Sequence, residues 1–172
     1  ALLVLFEYGV DVQTSKDLIS ELEIEDNVLW LPKMSRSEIM ILLSLADITC
    51  GEFGPGCLGG GTTWEALSSG SILMHYVDTD KIKFEHFDSP YPFINARTAN
   101  DITAALESFE NKDSAILNLA EKGSQWFDRN INEKSINEWI YLINLKKNEG
   151  VAALENYIAK KNKQNLAKSN WA

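Results

Sequence analysis

The feature that most constrains this chain is a glycine-rich segment between two apolar runs. Residues 51–70 read GEFGPGCLGGGTTWEALSSG, and residues 51–61 hold six of the ten glycines. Strand-like runs flank it at 45–50 and 71–77, and a short helix-like run with Glu65 in its first turns follows the glycines. A strand, a glycine-rich loop, a helix and a second strand bring backbone N–H groups and the positive end of a helix dipole to one point. We therefore expect a phosphate-bearing ligand at this loop.

Strand-like and helix-like segments alternate along most of the chain. The predicted strands are residues 2–6, 27–31, 46–50, 71–77 and 93–95, and the predicted helices are residues 15–22, a run from 35, 62–68, 101–109, 113–127, 133–145 and 151–161. Ser35 and Glu38 have the spacing of a capping box at the start of the second helix. Asn100 or Asp101 is expected to cap the helix that ends at Phe109.

Most of the predicted strands are apolar on both faces, which is typical of parallel strands covered by helices on both sides. The sequence therefore predicts an α/β fold with a Rossmann-like doubly wound parallel sheet. Ligands of such sheets bind at the carboxyl ends of the strands. Three loops are expected to converge there, at residues 7–9, 32–34 and 51–61.

The charge of the chain is negative and uneven. The net charge is −9 over 172 residues, but residues 146–172 hold six lysines and two glutamates, which leaves −13 on the others. The net charge of −9 argues against nucleic acid or an anionic membrane as the main partner. We predict one domain over residues 1–145 and a basic C-terminal helix and tail over 146–172.

No apolar run approaches the roughly 20 residues of a membrane span. Because the chain starts within a strand and without methionine, it is expected to be a fragment.

The cysteines and histidines indicate no metal site. Cys50 and Cys57 are too few and too close together for a disulfide scaffold, so we expect reduced thiols in a cytoplasmic protein. Neither His75 nor His86 has a zinc-ligand spacing to them. His75 alternates with apolar neighbours inside a strand and is expected to be buried and hydrogen-bonded.

Two other interpretations of the loop stay open. Gly54-x-Gly56-x-x-Gly59 matches a dinucleotide fingerprint, with Asp78 placed to bind a ribose, which would make the protein an NAD(P)-dependent enzyme. Against this, the loop follows the third strand of the chain, and the next helix is short and carries an acid in its interior. The glycines could also serve only close packing of a helix on a sheet, in a non-catalytic module that binds a nucleotide or a partner chain.

Asp78-Thr79-Asp80 has two carboxylates that could share a divalent cation if the loop turned both inward. A polar turn in which Asp80 caps a helix is the favoured interpretation.

At these residues the sequence resembles a family, the retaining "group 1" glycosyltransferases of GT-B fold, in the half that binds the donor. The resemblance covers about residues 2–145. Its motifs, in chain order, are Asp47, Glu52-Phe53-Gly54, the triplet Gly59-Gly60-Gly61, Glu65-Ala66 and Gly70. Twelve residues separate Glu52 from Glu65, where the family commonly has seven.

The resemblance implies a role for each matching residue. Glu65 would bind the donor ribose. The backbone amides of Gly59, Gly60, Gly61, Thr62 and Thr63 would meet the diphosphate. Glu52, the candidate catalytic residue, and Phe53 would face the transferred sugar, and Lys33 and Met34 would pack near the nucleobase. The ligand implied is a nucleotide-sugar, bound without a metal or other cofactor.

The resemblance also implies partners. The reaction would transfer a sugar with retention to a polysaccharide, lipid-linked or other glycan acceptor. The acceptor-binding N-terminal domain lies outside this sequence, so the chain is expected to be inactive alone. The simplest prediction for the lysines of residues 146–172 is a solvated tail, and the resemblance adds peripheral contact with a membrane as the alternative.

Ile136, Trp139, Ile140 and Ile143 form one stripe of a predicted helix. The simplest prediction is that this stripe is core. The resemblance adds that part of it could be exposed in this chain.

Overall fold

A computed structural model describes residues 1–54, 56, 60–82, 87 and 89–169, with side chains up to residue 163. The chain forms two compact units, Ala1–Ala46 and Asp47–Ala172. Each unit is described by itself below. The predicted boundary at residue 145 stays a prediction.

The first unit is built on a parallel pair of strands. Its elements are β1 (Leu3–Phe6), α1 (Val12–Glu21), a 3-10 turn (Glu25–Asn27), β2 (Val28–Leu31) and α2 (Arg36–Leu45). Leu3 of β1 lies opposite Val28 of β2. The predicted capping box is present at α2, because the N–H of Ser35 donates to Glu38 Oε2 at 2.8 Å and the N–H of Glu38 donates to Ser35 Oγ at 3.4 Å.

The second unit holds a three-stranded parallel sheet with its middle strand buried throughout. The strands are β3 (Ile48–Cys50), β4 (Ile72–His75) and β5 (Ile94–Asn95), with β4 in the centre. Helix α3 (Gly61–Ser69) connects β3 to β4 and ends at Gly70, whose φ of 82° is the left-handed conformation that glycine favours at a helix end.

Helices form the rest of this unit. They are α4 (Ala99–Glu110), α5 (Ser114–Phe127), a π-helical segment (Asp128–Glu133), α6 (Lys134–Glu149) and α7 (Val151–Ser169). Thr98 caps α4, so the prediction of Asn100 or Asp101 as the cap is wrong. The N–H of Asp101 donates to Thr98 Oγ1, and Asp101 Oδ2 accepts from the N–H of Thr98. Asp101 is therefore the second partner of the capping box, three residues after the N-cap residue Thr98. Helix α7 ends eight residues beyond the predicted position 161.

The core of the second unit lies on both faces of β4. One cluster holds Ala66, Leu67, Leu73, Tyr91 and Trp126, and the other holds Ile72, Met74, Ile94, Ala96 and Ala105. Neighbouring strand residues point to opposite faces, so Leu73 packs with α3 and α5 while Ile72 and Met74 pack with α4. Helices on both faces of a parallel sheet confirm the predicted doubly wound α/β class.

The predicted core stripe of α6 is exposed, so that prediction is wrong. The exposed fractions are 57% for Ile136, 66% for Trp139, 52% for Ile140 and 61% for Ile143. Helix α7 packs on the opposite side of α6, where the hydroxyl of Tyr157 donates to Glu138 Oε1 at 2.9 Å and Lys161 Nζ donates to the same oxygen at 2.7 Å. Within the described residues, none of the helices has the length and apolar character needed to cross a membrane.

Candidate functional site

The chain after β3 continues beside the chain after β4. The N–H of Gly51 donates to Met74 O at 2.8 Å, the N–H of Tyr76 donates to Glu52 O at 3.0 Å, and the N–H of Asp78 donates to Gly56 O at 3.2 Å. This extended pairing places the start of the glycine-rich loop at the carboxyl end of the sheet, where doubly wound folds bind their ligands.

Close packing explains two of the loop glycines. A Cβ atom on Gly51 would lie 3.0 Å from His75 Cβ. Gly56 has a φ of +79°, and a Cβ atom there would lie 2.8 Å from Tyr76 Cε1. Part of the literal GxGxxG pattern therefore has a packing cause that needs no nucleotide. Gly59, the last glycine of that pattern, lies outside the described residues.

Helix α3 begins without a side-chain cap. Its N-cap is Gly60, whose φ of −97° and ψ of −154° are extended and open to any residue. The N-cap side chains of α2, α4 and α5 do make cap hydrogen bonds, whereas those of α1 and α6 make none. Because Gly60 has no side chain, the N-cap residue itself offers no cap to the first-turn N–H groups of α3, which lie at the positive end of the helix dipole.

The core contacts of α3 decide which of its residues face outward. Thr63, Ala66 and Leu67 are buried with spacings of three and four residues, so the opposite face of the helix points away from the core. Thr62 is exposed, and Glu65 is half-buried one turn after Gly61. Glu65 thus lies one turn after the start of the helix. The side chain of Thr63 is buried, so only the backbone of Thr63 could contact a ligand.

Aromatic rings hold α3 in place. Trp64 stacks on Trp126 with ring centroids 6.3 Å apart and meets the edge of Tyr91 at 5.7 Å. The indole N–H of Trp126 donates to Ser89 O at 2.9 Å. These contacts fix the helix on the sheet without using its outward face.

Glu52 is brought to the start of α3. Its side chain is exposed, and its Oε1 lies 3.2 Å from the position of a Cβ atom on Gly60. Gly60 follows Glu52 by eight positions in the chain, so their approach is a feature of the fold and not of local sequence. Phe53, the neighbouring candidate, is half-buried and packs against the core cluster that contains Ile72 and Met74.

His75, the last residue of β4, lies beside Gly51. It is 0% exposed, and its ring centroid is 4.7 Å from that of Phe93 and 5.7 Å from that of Tyr91. Among the described residues neither ring nitrogen has a hydrogen-bond partner, so the expected hydrogen bond is wrong while the expected burial is confirmed. Burial lowers the pKa of His75 to about 4, and the negative charge of Glu52 opposes this shift only in part.

The remaining candidates, Lys33 and Met34, belong to the first unit. Lys33 Nζ lies 5.1 Å from the centre of the Tyr8 ring, and Met34 is half-buried. The loops that follow β1 and β2 therefore meet as predicted. The glycine-rich loop is part of the other unit, and the convergence of all three loops stays a prediction.

The Asp78-Thr79-Asp80 sequence forms a polar turn. Asp78 O accepts from the N–H groups of Lys81 and Ile82, and Asp78 Oδ2 pairs with Lys81 Nζ at 2.9 Å. The hydrogen bond from Lys81 keeps the pKa of Asp78 below its usual value. The acid that the dinucleotide interpretation needs for a ribose is thus engaged with a lysine.

Across the part of the chain that the structure describes, no group of three or more His, Cys, Asp or Glu residues could hold a metal ion. Cys50 carries a free thiol. The described residues do not include Cys57 or His86. They include only the first two residues, 81 and 82, of the segment in which Asp80 was expected to cap a helix.

A parallel sheet covered by helices on both faces, with the start of α3 at its carboxyl end, defines a Rossmann-like fold. Solved structures that resemble it include GT-B glycosyltransferases, which confirms, at the level of the fold, the resemblance seen in the sequence. No family model and no curated protein sequence matches the chain.

Two such structures illustrate the likeness. Sucrose-phosphate synthase from Thermosynechococcus elongatus superposes with a TM-score of 0.59 at 14% identity, over 87% of this chain and 39% of that one. The pneumococcal O-GlcNAc transferase GtfA, solved in complex with UDP and GlcNAc, superposes with a TM-score of 0.55 at 12% identity, over 83% of this chain and 29% of that one. This chain therefore spans well under half the length of either protein.

Proposed function

We propose that this chain is the nucleotide-sugar-binding half of a retaining glycosyltransferase. The observation that carries the proposal is the start of α3 at Gly60, an N-cap residue without a side chain, at the carboxyl end of a parallel sheet in a fold shared with glycosyltransferases. Backbone amides at such a helix start bind phosphate groups without a lysine or a metal.

The donor would lie along the outward face of α3. The amides of Gly60, Gly61 and Thr62, with those of Gly59 and Thr63, would bind the diphosphate. The Glu65 carboxylate, one helical turn after Gly61, would accept hydrogen bonds from the ribose hydroxyls. Such bonds are stronger than those between neutral groups because the acceptor is charged.

The other contacts complete the proposed donor site. Glu52, at the mouth of the loop, and Phe53 would face the transferred sugar. Lys33 and Met34 would lie at the nucleobase end. The acceptor would be a polysaccharide, lipid-linked or other glycan, and its binding domain would belong to a longer chain. We place the enzyme in the cytoplasm, with its lysine-rich C-terminal helix as a peripheral membrane contact.

Thermal protection separates this proposal from the alternatives. UDP, GDP, UDP-GlcNAc, NAD and NADP are added in turn at equal concentration, and the melting temperature is measured. A ligand at ten times its Kd stabilises by about 1.4 kcal/mol, which raises the melting temperature by a few degrees.

We expect protection by a UDP or GDP compound. Protection by NAD or NADP alone would indicate a dinucleotide enzyme instead. Protection by none of the five would favour a module that binds a partner chain.

A further inference from the structure

One side of α6 presents a row of apolar side chains at the surface. Four of them, the apolar stripe of α6, are between 52% and 66% exposed: Ile136, Trp139, Ile140 and Ile143. The opposite side of the helix faces α7, where Glu138 accepts hydrogen bonds from Tyr157 and Lys161. Apolar side chains that are contiguous at a surface, unlike scattered ones, mark an interaction site.

Two lysines continue this stripe toward the end of the helix. Lys147 follows Ile143 by four residues and Ile140 by seven, so it lies on the same side of α6. Lys146 follows Ile143 by three residues, and both lysines are exposed. The stripe therefore runs directly into two positive charges.

The acids of α6 lie on the other side of the helix. Glu138 faces α7, and Glu149 follows the buried Leu145 by four residues. The charge of the chain is separated in the same sense, because residues 146–172 carry +4 and residues 1–145 carry −13. Although the net charge is −9, a negatively charged surface therefore attracts the chain at the lysines beside the stripe.

An apolar stripe that ends in lysines fits the interface of a lipid bilayer. Tryptophan is favoured at the level of the headgroups, isoleucine enters the acyl chains, and lysine reaches back to anionic headgroups. A stable contact between two proteins buries about 800 Å² on each partner. Four side chains that are each little more than half exposed fall short of that area, so a lipid surface is favoured over a protein partner.

We propose that the apolar stripe of α6 enters the headgroup region of an anionic bilayer, where Lys146 and Lys147 bind lipid phosphate groups. This inference rests on the part of the proposed function that places the enzyme at a membrane. It assigns the contact to one side of α6 rather than to the lysines of α7 alone. The donor site takes no part in it.

The test is flotation of the chain with two kinds of unilamellar vesicle, phosphatidylcholine alone and phosphatidylcholine mixed with phosphatidylglycerol. The variants are Ile143→Ser and Lys147→Gln, and their matched controls are Ile41→Ser and Lys122→Gln. Ile41 on α2 is 61% exposed, the same fraction as Ile143, and Lys122 is exposed on α5. Far-UV circular dichroism checks that each variant is folded, and sedimentation velocity gives its oligomeric state.

We expect the unchanged chain to float with the mixed vesicles and to bind phosphatidylcholine alone at least about tenfold more weakly. Ile143→Ser should weaken binding to the mixed vesicles about three- to tenfold, because the stripe loses apolar area. Lys147→Gln should weaken it about fivefold, because one charge near the anionic surface is lost. Both controls should match the unchanged chain.

No binding to the mixed vesicles would overturn the inference, and so would equal losses in each variant and its matched control. A dimer that does not float and that Ile143→Ser dissociates would also overturn it, because the stripe would then join two copies of the chain. UDP binding is measured on the same proteins. UDP binding without flotation refutes only the membrane contact, whereas flotation without UDP binding refutes only the donor site.

Discussion

The Oε1 atom of Glu52 lies 3.2 Å from the Cβ position of Gly60, the residue that begins α3. The backbone angles of Gly60 are extended, so its conformation does not require glycine. A side chain at Gly60 would therefore meet the Glu52 carboxylate at the start of α3, where we propose that the diphosphate binds.

Gly60→Ala is expected to weaken nucleotide binding while leaving stability almost unchanged. The new methyl group would crowd the anion position, whereas the flexible end of Glu52 could move aside by a few tenths of an ångström. We expect a loss of UDP affinity of roughly tenfold, with a free energy of unfolding within about 0.5 kcal/mol of the original. Calorimetry and urea unfolding measure the two quantities. A loss of stability without a loss of affinity would show that Gly60 serves packing.

Glu65→Gln is expected to remove recognition of the ribose. A hydrogen bond to a charged acceptor contributes about 1.5–3 kcal/mol, so UDP binding should weaken by about tenfold or more. The sharper measurement is a double-mutant cycle with 2′-deoxy-UDP and 3′-deoxy-UDP. The original protein should discriminate against at least one deoxy ligand, and Glu65→Gln should not. Additive losses of affinity would reject contact between Glu65 and the ribose.

His75 is expected to make the protein sensitive to mild acid. Burial lowers its pKa from 6.5 to about 4, so between these values the unfolded chain binds a proton that the folded chain does not. Stability is therefore fully present above about pH 6.5 and is lost as the pH falls toward 4, by up to about 3 kcal/mol.

His75→Phe should flatten this part of the pH profile, because phenylalanine keeps an aromatic ring against Tyr91 and Phe93 but binds no proton. Urea unfolding of both proteins at a series of pH values between 7.5 and 4 gives the difference directly. Identical slopes would contradict the account of a neutral, unpartnered imidazole.

Two tryptophans in neighbouring helices should respond differently to truncation. Trp126 is buried, donates to Ser89 O and stacks on Trp64, so Trp126→Ala should cost about 3–5 kcal/mol of unfolding free energy. Trp139 is 66% exposed, so Trp139→Ala should change stability by less than about 0.5 kcal/mol. Urea unfolding followed by far-UV circular dichroism measures both. A large loss of unfolding free energy in Trp139→Ala would mean that another part of the protein covers the apolar stripe of α6.

Local signals in the sequence predicted the elements well. Ser35 and Glu38 mark the start of α2 because both partners of a capping box lie three residues apart in the chain. Gly70 marks the end of α3 because the left-handed conformation there favours glycine. The apolar run of β4 predicts a strand buried on both faces. Each of these features depends on a few neighbouring residues, which is why the sequence alone reveals it.

Features that depend on distant contacts were not predictable in the same way. The stripe of Ile136, Trp139, Ile140 and Ile143 has the pattern of a core face, but periodicity does not say whether another element covers it. The hydrogen-bonding state of His75 depends on Tyr91 and Phe93, which follow it by more than fifteen residues. Gly60 follows Glu52 by eight positions in the chain, and no spacing rule encodes their approach.

The most direct test of the proposed donor site is the position of UDP on the chain. Amide chemical shifts of the ¹⁵N-labelled protein are followed by NMR as UDP is added, with NAD as the comparison. We predict that the largest shifts occur at Gly60, Gly61, Thr62 and Glu65, and that NAD leaves these amides unchanged. Shifts confined to other parts of the protein, or no shifts at millimolar UDP, would contradict the claim that the start of α3 binds a nucleotide-sugar.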